Sequence, residues 1–190
     1  MAVRQDATLN LSNLIKGDLS TGGETSGAGL LAPKPELLEA DGLTLEAPLA
    51  WELTVRATGG DDFLVTGEVS GTAVLQCRRC LTDVPTESES SFIYPMAYRP
   101  SSKGLDLVET EEGEEDLLVF GQPEVDFAPL LAQIYAIDLP LTVLCKESCK
   151  GLSPEGVNLN EHPEAAPGPE SEAGEKAEES PFSVLKDLDL

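Results

Sequence analysis

Four cysteines stand in two short couples, Cys77-Arg78-Arg79-Cys80 and Cys145-Lys146-Glu147-Ser148-Cys149, and the chain has no other cysteine. Two thiols separated by two or three residues turn their sulfurs toward one point. A second couple can complete a tetrahedral set of thiolates of the kind zinc favours. If the couples form such a set, the regions around positions 78 and 147 must meet, which constrains the fold more than any hydropathy pattern does. Two other readings fit the same residues: four reduced thiols at the ends of neighbouring strands and loops, or a disulfide or redox pair. Arg78 and Arg79 would lower a thiol pKa and favour redox chemistry at Cys77 and Cys80. The residues around them, however, do not read as the strand-to-helix junction of a thioredoxin-like unit.

Compartment bears on that choice. The start of the chain is mixed and polar, without a secretory apolar region, and no apolar stretch approaches the ~18 residues of a membrane span. The expectation is a cytoplasmic protein without a membrane partner, where thiols stay reduced and metal is favoured over disulfide. At 190 residues and 41% apolar, the chain has room for one domain with a core built mostly of Leu, Val and Ala, since aromatics are only 5%.

A net charge of −23 argues against DNA as a partner and against broad coating of any nucleic acid. Seven acids and no base lie between Asp106 and Asp116, and another seven acids face the single Lys176 between Glu161 and Glu179. In contrast, Arg78, Arg79, Lys146 and Lys150, four of the twelve Lys and Arg residues, lie in or beside the cysteine couples. Brought together they make a small basic patch on an acidic protein. Such a patch either contacts phosphate or a partner, or merely offsets the negative charge of a metal held by four thiolates.

The pattern along the chain predicts an α+β fold: an antiparallel hairpin or meander sheet, or a partial barrel, with one main helix and a zinc-stapled loop. Residues 8–12 alternate as a half-buried strand, and residues 17–35 read as a flexible Gly/Ser/Thr-rich loop. Residues 43–58 alternate again, interrupted by Pro48. After Gly59-Gly60-Asp61-Asp62, residues 63–76 place Phe63, Val65, Gly67, Val69, Gly71, Ala73 and Leu75 on one face, giving a hairpin whose second strand runs into Cys77. A third strand returns from Leu81 to Tyr98. Residues 103–122 read as a solvated acidic excursion. The helix is predicted over residues 126–137, capped by Asp126, with Phe127, Leu130, Leu131, Ile134 and Ile137 on a shared face. One domain is thus expected over residues 1–160, followed by a disordered acidic linker over 161–179. Residues 180–190 form a short amphipathic end, in which Phe182, Leu185 and Leu188 are spaced to dock either on the domain itself or on a partner.

Machinery for catalysis is missing from the sequence. The one histidine, His162, lies in a polar region off any patterned element, and neither a phosphate-binding loop nor a serine elbow is present. A cysteine nucleophile would lack a histidine partner, so the chain does not read as an enzyme.

At Cys77-Arg78-Arg79-Cys80-Leu81, then the helical stretch to Pro140, then Leu144-Cys145-Lys146-Glu147-Ser148-Cys149-Lys150-Gly151-Leu152 with Asn158-Leu159-Asn160 after it, the chain resembles the YceD family. Where many relatives look to carry a further Cys-Pro-x-Cys-Gly, this sequence reads Ser153-Pro154-Glu155-Gly156-Val157, which leaves Cys77, Cys80, Cys145 and Cys149 as the only possible set of four. The resemblance implies a non-enzymatic accessory role in the accumulation of large-subunit ribosomal RNA in bacteria and plastids. Its partner would be that RNA, contacted locally, or a basic large-subunit ribosomal protein, which an acidic surface suits. Two alternatives to that role remain open: a zinc-stapled interaction module with an unrelated partner, and a thiol-redox protein.

Overall fold

A computed structural model describes residues 2–16, 23–39, 43–109 and 116–166. It is a mostly-sheet α+β protein with a curled, half-barrel sheet and few helices. In chain order the elements are β1 (Val3–Arg4), β2 (Thr8–Asn10), α1 (Ser12–Lys16), β3 (Glu24–Leu31), α2 (Pro35–Glu39), β4 (Thr44–Leu45), β5 (Leu49–Gly59), β6 (Asp62–Gln76), β7 (Asp83–Tyr98), β8 (Leu105–Glu109), β9 (Asp116–Phe120), β10 (Glu124–Asp126) and α3 (Ala128–Ile137). The main sheet runs β1-β3-β5-β6-β7-β9-β8, with β4 added beside β6, and β10 pairs β2 in a separate ribbon.

The expected hairpin is its centre. Strands β5 and β6 are joined at Gly59-Gly60, where Gly60 takes φ +62, a left-handed turn conformation that glycine adopts without strain. The predicted inward face holds: Phe63, Val65, Val69 and Ala73 are buried, and Leu53, Val55, Met96 and Phe120 close the same core from neighbouring strands. Each fully buried side chain of this size contributes about 1.5–3 kcal/mol.

The structure corrects several expectations. Within the stretch read as a loop over residues 17–35, β3 pairs β5 antiparallel along its whole length. Its Glu-Thr-Ser-Gly-Ala-Gly start is a poor strand former, but Trp51 lies across from Gly29, with its indole only 3.3 Å from where a Cβ would stand. Packing against a cross-strand aromatic overrides local propensity there. The acidic excursion over 103–122 contains β8 and β9, which pair with each other, and Leu118 and Phe120 are buried in the core. Charge counting hid their alternation; residues 110–115 lie outside the described residues. The sheet is not a pure antiparallel meander, because β1 pairs β3 and β9 pairs β7 in parallel.

The main helix is α3, and the short helices α1 and α2 accompany it. Its N-cap is Phe127 rather than Asp126. Asp126 still serves the helix start, for its Oδ1 accepts from the Ala128 N–H and the Ala7 N–H, each at 3.0 Å. Phe127, Leu130, Leu131 and Ile134 of the predicted face are buried, but the face widens to include Tyr135, which is fully buried, and Ile137 at the helix end is 70% exposed.

Where the sequence suggests one domain over 1–160, contacts separate two compact units. The first comprises residues 1–76 and 83–143; the second comprises Cys77–Thr82 and the described residues from Leu144 onward. The first holds every element from β1 to α3. The second contains a turn at Ser153 to Val157, a bridge between Leu152 and Asn158, and a 3-10 turn at Pro163–Ala165, so residues 161–166 of the expected linker carry local structure. The docking segment at Phe182, Leu185 and Leu188 and the linker from residue 167 lie outside the described residues.

Candidate metal centre

The second unit brings both cysteine couples together. Cys77 and Cys80 flank a tight reversal in which the Leu81 N–H donates to the Cys77 carbonyl at 2.9 Å, and the Cys77 N–H donates to the Thr82 carbonyl at 2.9 Å. Closing it forces Leu81 to φ +59. A left-handed conformation costs a non-glycine residue about 1–2 kcal/mol. The second couple forms its own turn, with the Cys149 N–H donating to the Lys146 carbonyl at 3.0 Å. Arg79 fastens one couple to the other: its guanidinium donates to the Cys149 carbonyl at 2.9 Å and to the Glu147 carbonyl at 3.4 Å.

The four sulfurs lie within 4.8 Å of one another. Between the couples, Cys77 stands 3.8 Å from Cys149 and Cys80 stands 3.6 Å from Cys145. A tetrahedron with Zn–S bonds of about 2.3 Å has sulfur–sulfur edges of about 3.8 Å, so the residues present fit zinc in both donor type and spacing. All four cysteines are free thiols; Cys77, Cys80 and Cys149 are buried and Cys145 is exposed.

A second observation points the same way. Among the described residues of this unit, the buried side chains are Cys77, Cys80, Cys149 and Ser153, with no large apolar group. A segment of this size without an apolar core requires another source of stability, and a metal held by four thiolates provides one.

Hydrogen bonds to the sulfurs favour ionisation of two of the four, Cys77 and Cys149. The Cys145 backbone N–H, with weaker help from those of Arg79 and Cys80 and against the effect of burial, holds the Cys77 thiol down to about 6. The Asn160 side-chain amide, 3.3 Å from the Cys149 sulfur, is the main cause of that thiol's lowered pKa; burial opposes it and the Gly151 N–H assists. Gly151 occupies φ +81 with the Arg79 carbonyl 3.2 Å from where a Cβ would stand, so a side chain there would be strained and would crowd the first couple. Thr82 Oγ1 lies 3.2 Å from the Cys80 sulfur and can donate to it once it is ionised. Cys145 is different. Desolvation, then hydrogen bonds with the other thiols and the charge of Cys149, pushes it up to about 12. Successive thiolates repel one another, and a cation at their centre removes that repulsion.

Around the cage, Arg78, Arg79, Lys146 and Lys150 are all exposed. Arg79 is committed to the carbonyls named above. Among the described residues no acid forms an ion pair with Arg78, Lys146 or Lys150. Asn160 carries more than its motif suggested: besides the sulfur, it accepts from the Lys150 N–H at 3.0 Å and donates to Asn158 Oδ1 at 2.9 Å. Leu81 and Thr82 were missed as site residues, and only the Cys-x-x-Cys spacing pointed to a closed reversal after Cys80. Ser153, at the place of the absent cysteines, accepts from the Val157 N–H at 3.2 Å and closes its turn by that bond. His162 is exposed, with Nδ1 3.1 Å from Glu164 Oε1.

No helix among the described residues is long and apolar enough to cross a membrane. No solved structure matches the chain. A Mycobacterium leprae protein described as uncharacterized is 31% identical over 109 residues, which is 57% of this chain and 48% of that protein, so the chain spans about half the length of that relative. A family model described as large ribosomal RNA subunit accumulation protein YceD matches residues 65–189, a span that takes in both cysteine couples and all four neighbouring cations. The chain belongs to the YceD family.

Proposed function

We propose that this chain is a non-enzymatic accessory factor for the accumulation of large-subunit ribosomal RNA, with a zinc ion held by Cys77, Cys80, Cys145 and Cys149. The family name supplies the role, and the convergence of four sulfurs at tetrahedral spacing supports the metal. When bound, zinc would offset about half of the charge of the four thiolates and cross-link the two couples. The residues of this chain do the rest. Arg79 and Asn160 fix the backbone around the sulfurs, and Arg78, Lys146 and Lys150 face solvent, where they can meet phosphate. Three cations are a small footprint on a chain of charge −23, which favours a local contact with RNA, or one made alongside a basic large-subunit protein, over coating.

The thiol-redox alternative draws support from the low pKa of Cys77. Against it, all four sulfurs lie within 4.8 Å of one another, and Cys77 and Cys80 each approach a sulfur of the other couple, at 3.8 Å and 3.6 Å, so the site is a four-sulfur cluster rather than an isolated pair. The test is co-sedimentation of the protein with large-subunit precursor particles, for wild type and for a variant with Arg78, Lys146 and Lys150 changed to Glu. Wild type is expected in the precursor fractions and the variant is expected to be depleted from them. RNA bound through these three cations should show a shallow salt slope of about −2 to −3. Absence of wild type from every particle fraction, with unchanged large-subunit RNA in cells lacking the protein, overturns the reading.

A further inference from the structure

Strand β7 spans Asp83–Tyr98, but β9 covers its outer edge only from Met96 to Tyr98. Over residues 83–95 its sole strand partner among the described residues is β6, and no backbone hydrogen bond from any other described segment reaches it. The register with β6 is unbroken from Asp62↔Ala97 to Gln76↔Asp83, so the direction in which each residue's N–H and C=O point alternates without interruption. That alternation can be assigned. The Tyr98 N–H turns to the Asp61 carbonyl on the β6 side, and the Arg99 N–H turns to the Phe120 carbonyl on the β9 side. Odd-numbered residues therefore face the open edge. Pro85 and Pro95 both fall on odd positions, where a residue without an N–H leaves the β6 ladder intact. Between them Glu87, Glu89, Ser91 and Ile93 present N–H and C=O groups outward, enough to receive a strand of about eight residues.

The same four side chains stand on the solvent face, and Ile93 is 62% exposed. Across β6 and β5 that face continues with Glu68 directly opposite Glu52, a like-charge pair that weakens the isolated sheet. Pairing with a second copy in the antiparallel register that spans this edge would set Glu89 opposite Ser91 and Glu87 opposite Ile93, leaving all four carboxylates of the joined edges without a cation, which favours it less than a basic strand. Charge complementarity selects a basic strand instead.

We propose that the open edge of β7 between Pro85 and Pro95 receives an extended, basic segment of a partner protein by strand addition. Its arginines or lysines lie two residues apart opposite Glu89 and Glu87, and an apolar residue lies opposite Ile93. Main-chain bonds supply the binding, and the alternate side chains supply the choice of partner. The inference rests on the ribosome-assembly reading and narrows its protein partner to one offering a basic extended segment.

The probe is a synthetic peptide of about nine residues carrying that pattern, with a charge-reversed acidic peptide and a single-stranded RNA oligomer as comparators. In the free protein the amides of residues 87, 89, 91 and 93 should exchange quickly, and saturating basic peptide should slow them at least tenfold. Glu89→Pro removes one outward donor without touching the β6 ladder, so its circular dichroism and melting should stay near wild type while peptide affinity falls at least tenfold. The double variant Glu87→Lys/Glu89→Lys should reverse the preference toward the acidic peptide. Slow exchange of these amides in the free protein at every concentration means that this chain already fills the edge. Protection that grows with protein concentration means that a second copy does, and protection by the RNA oligomer means a nucleic-acid site. Each of those results overturns the proposal, as does unchanged peptide binding by Glu89→Pro. Co-sedimentation of Glu89→Pro with precursor particles separates the two claims: if peptide binding fails and sedimentation survives, the edge is wrong and the assembly role stands.

Discussion

Asn160→Ala is the sharpest probe of how this chain prepares its sulfurs. The side-chain amide donates to the Cys149 sulfur at 3.3 Å while its Oδ1 accepts from the Lys150 N–H at 3.0 Å. Removing the first bond takes away the main cause of the lowered Cys149 pKa, so the metal must compete more strongly with the thiol proton. Removing the second leaves a part-exposed N–H to water. Loss of a hydrogen-bonding partner behind a metal ligand typically weakens the metal 10- to 100-fold, about 1.4–2.7 kcal/mol. We expect the upper half of that range here because one side chain makes both bonds. Zinc affinity would be measured by competition with a chromophoric chelator at pH 7.5 and pH 9, and the deficit should shrink at the higher pH, where the thiol ionises without help. Asn160→Asp separates the two bonds: it keeps an acceptor for Lys150 but sets a carboxylate against the thiolate, so it should bind zinc no better than Asn160→Ala. Affinity within twofold of wild type for Asn160→Ala, or rescue by Asn160→Asp, would refute the assignment of Asn160 as a donor to the sulfur.

Other expectations follow from the same geometry. In the metal-free protein, Cys77 ionises more easily folded than unfolded, so its contribution should strengthen from pH 6 toward pH 9 and vanish below about 6. Cys145 is harder to ionise when folded, so its contribution should decline from pH 9 toward 12, and melting of the chelated protein across this range should pass through a maximum near pH 9. Leu81→Gly relieves a φ of +59 and should stabilise or leave unchanged the metal-bound protein in thermal melts, whereas Leu81→Val should destabilise it. Gly67→Ala places a methyl against Leu53 and within 2.6 Å of the Phe92 ring, and urea unfolding should show a loss of about 1–3 kcal/mol.

Spacing and alternation made part of this structure legible before any coordinates. The hairpin of β5 and β6 was readable because its apolar residues recur at every second position and end at Gly59-Gly60. The convergence of Cys77, Cys80, Cys145 and Cys149 was readable because short couples already constrain two sulfurs each. β3 was not, because its glycines become strand residues only under the indole of Trp51, a contact made across the sheet. β8 and β9 were masked by the acids between them, although Leu118 and Phe120 carry the alternation of a strand. Most of the buried face of α3 was readable from its period, at Phe127, Leu130, Leu131 and Ile134; that Tyr135 joins it and Ile137 leaves it depends on what the helix packs against, which helical periodicity alone does not specify. At the site, Asn160 lay in a motif without a role, and its function emerged only from its distance to Cys149.

The central claim is that four cysteines from two couples hold one zinc ion. Metal analysis with X-ray absorption at the zinc edge, on protein purified without chelator, tests it directly. The account predicts one zinc per chain surrounded by four sulfurs at about 2.3 Å. A zinc content below about 0.2 per chain, or a first shell containing nitrogen or oxygen in place of sulfur, contradicts it.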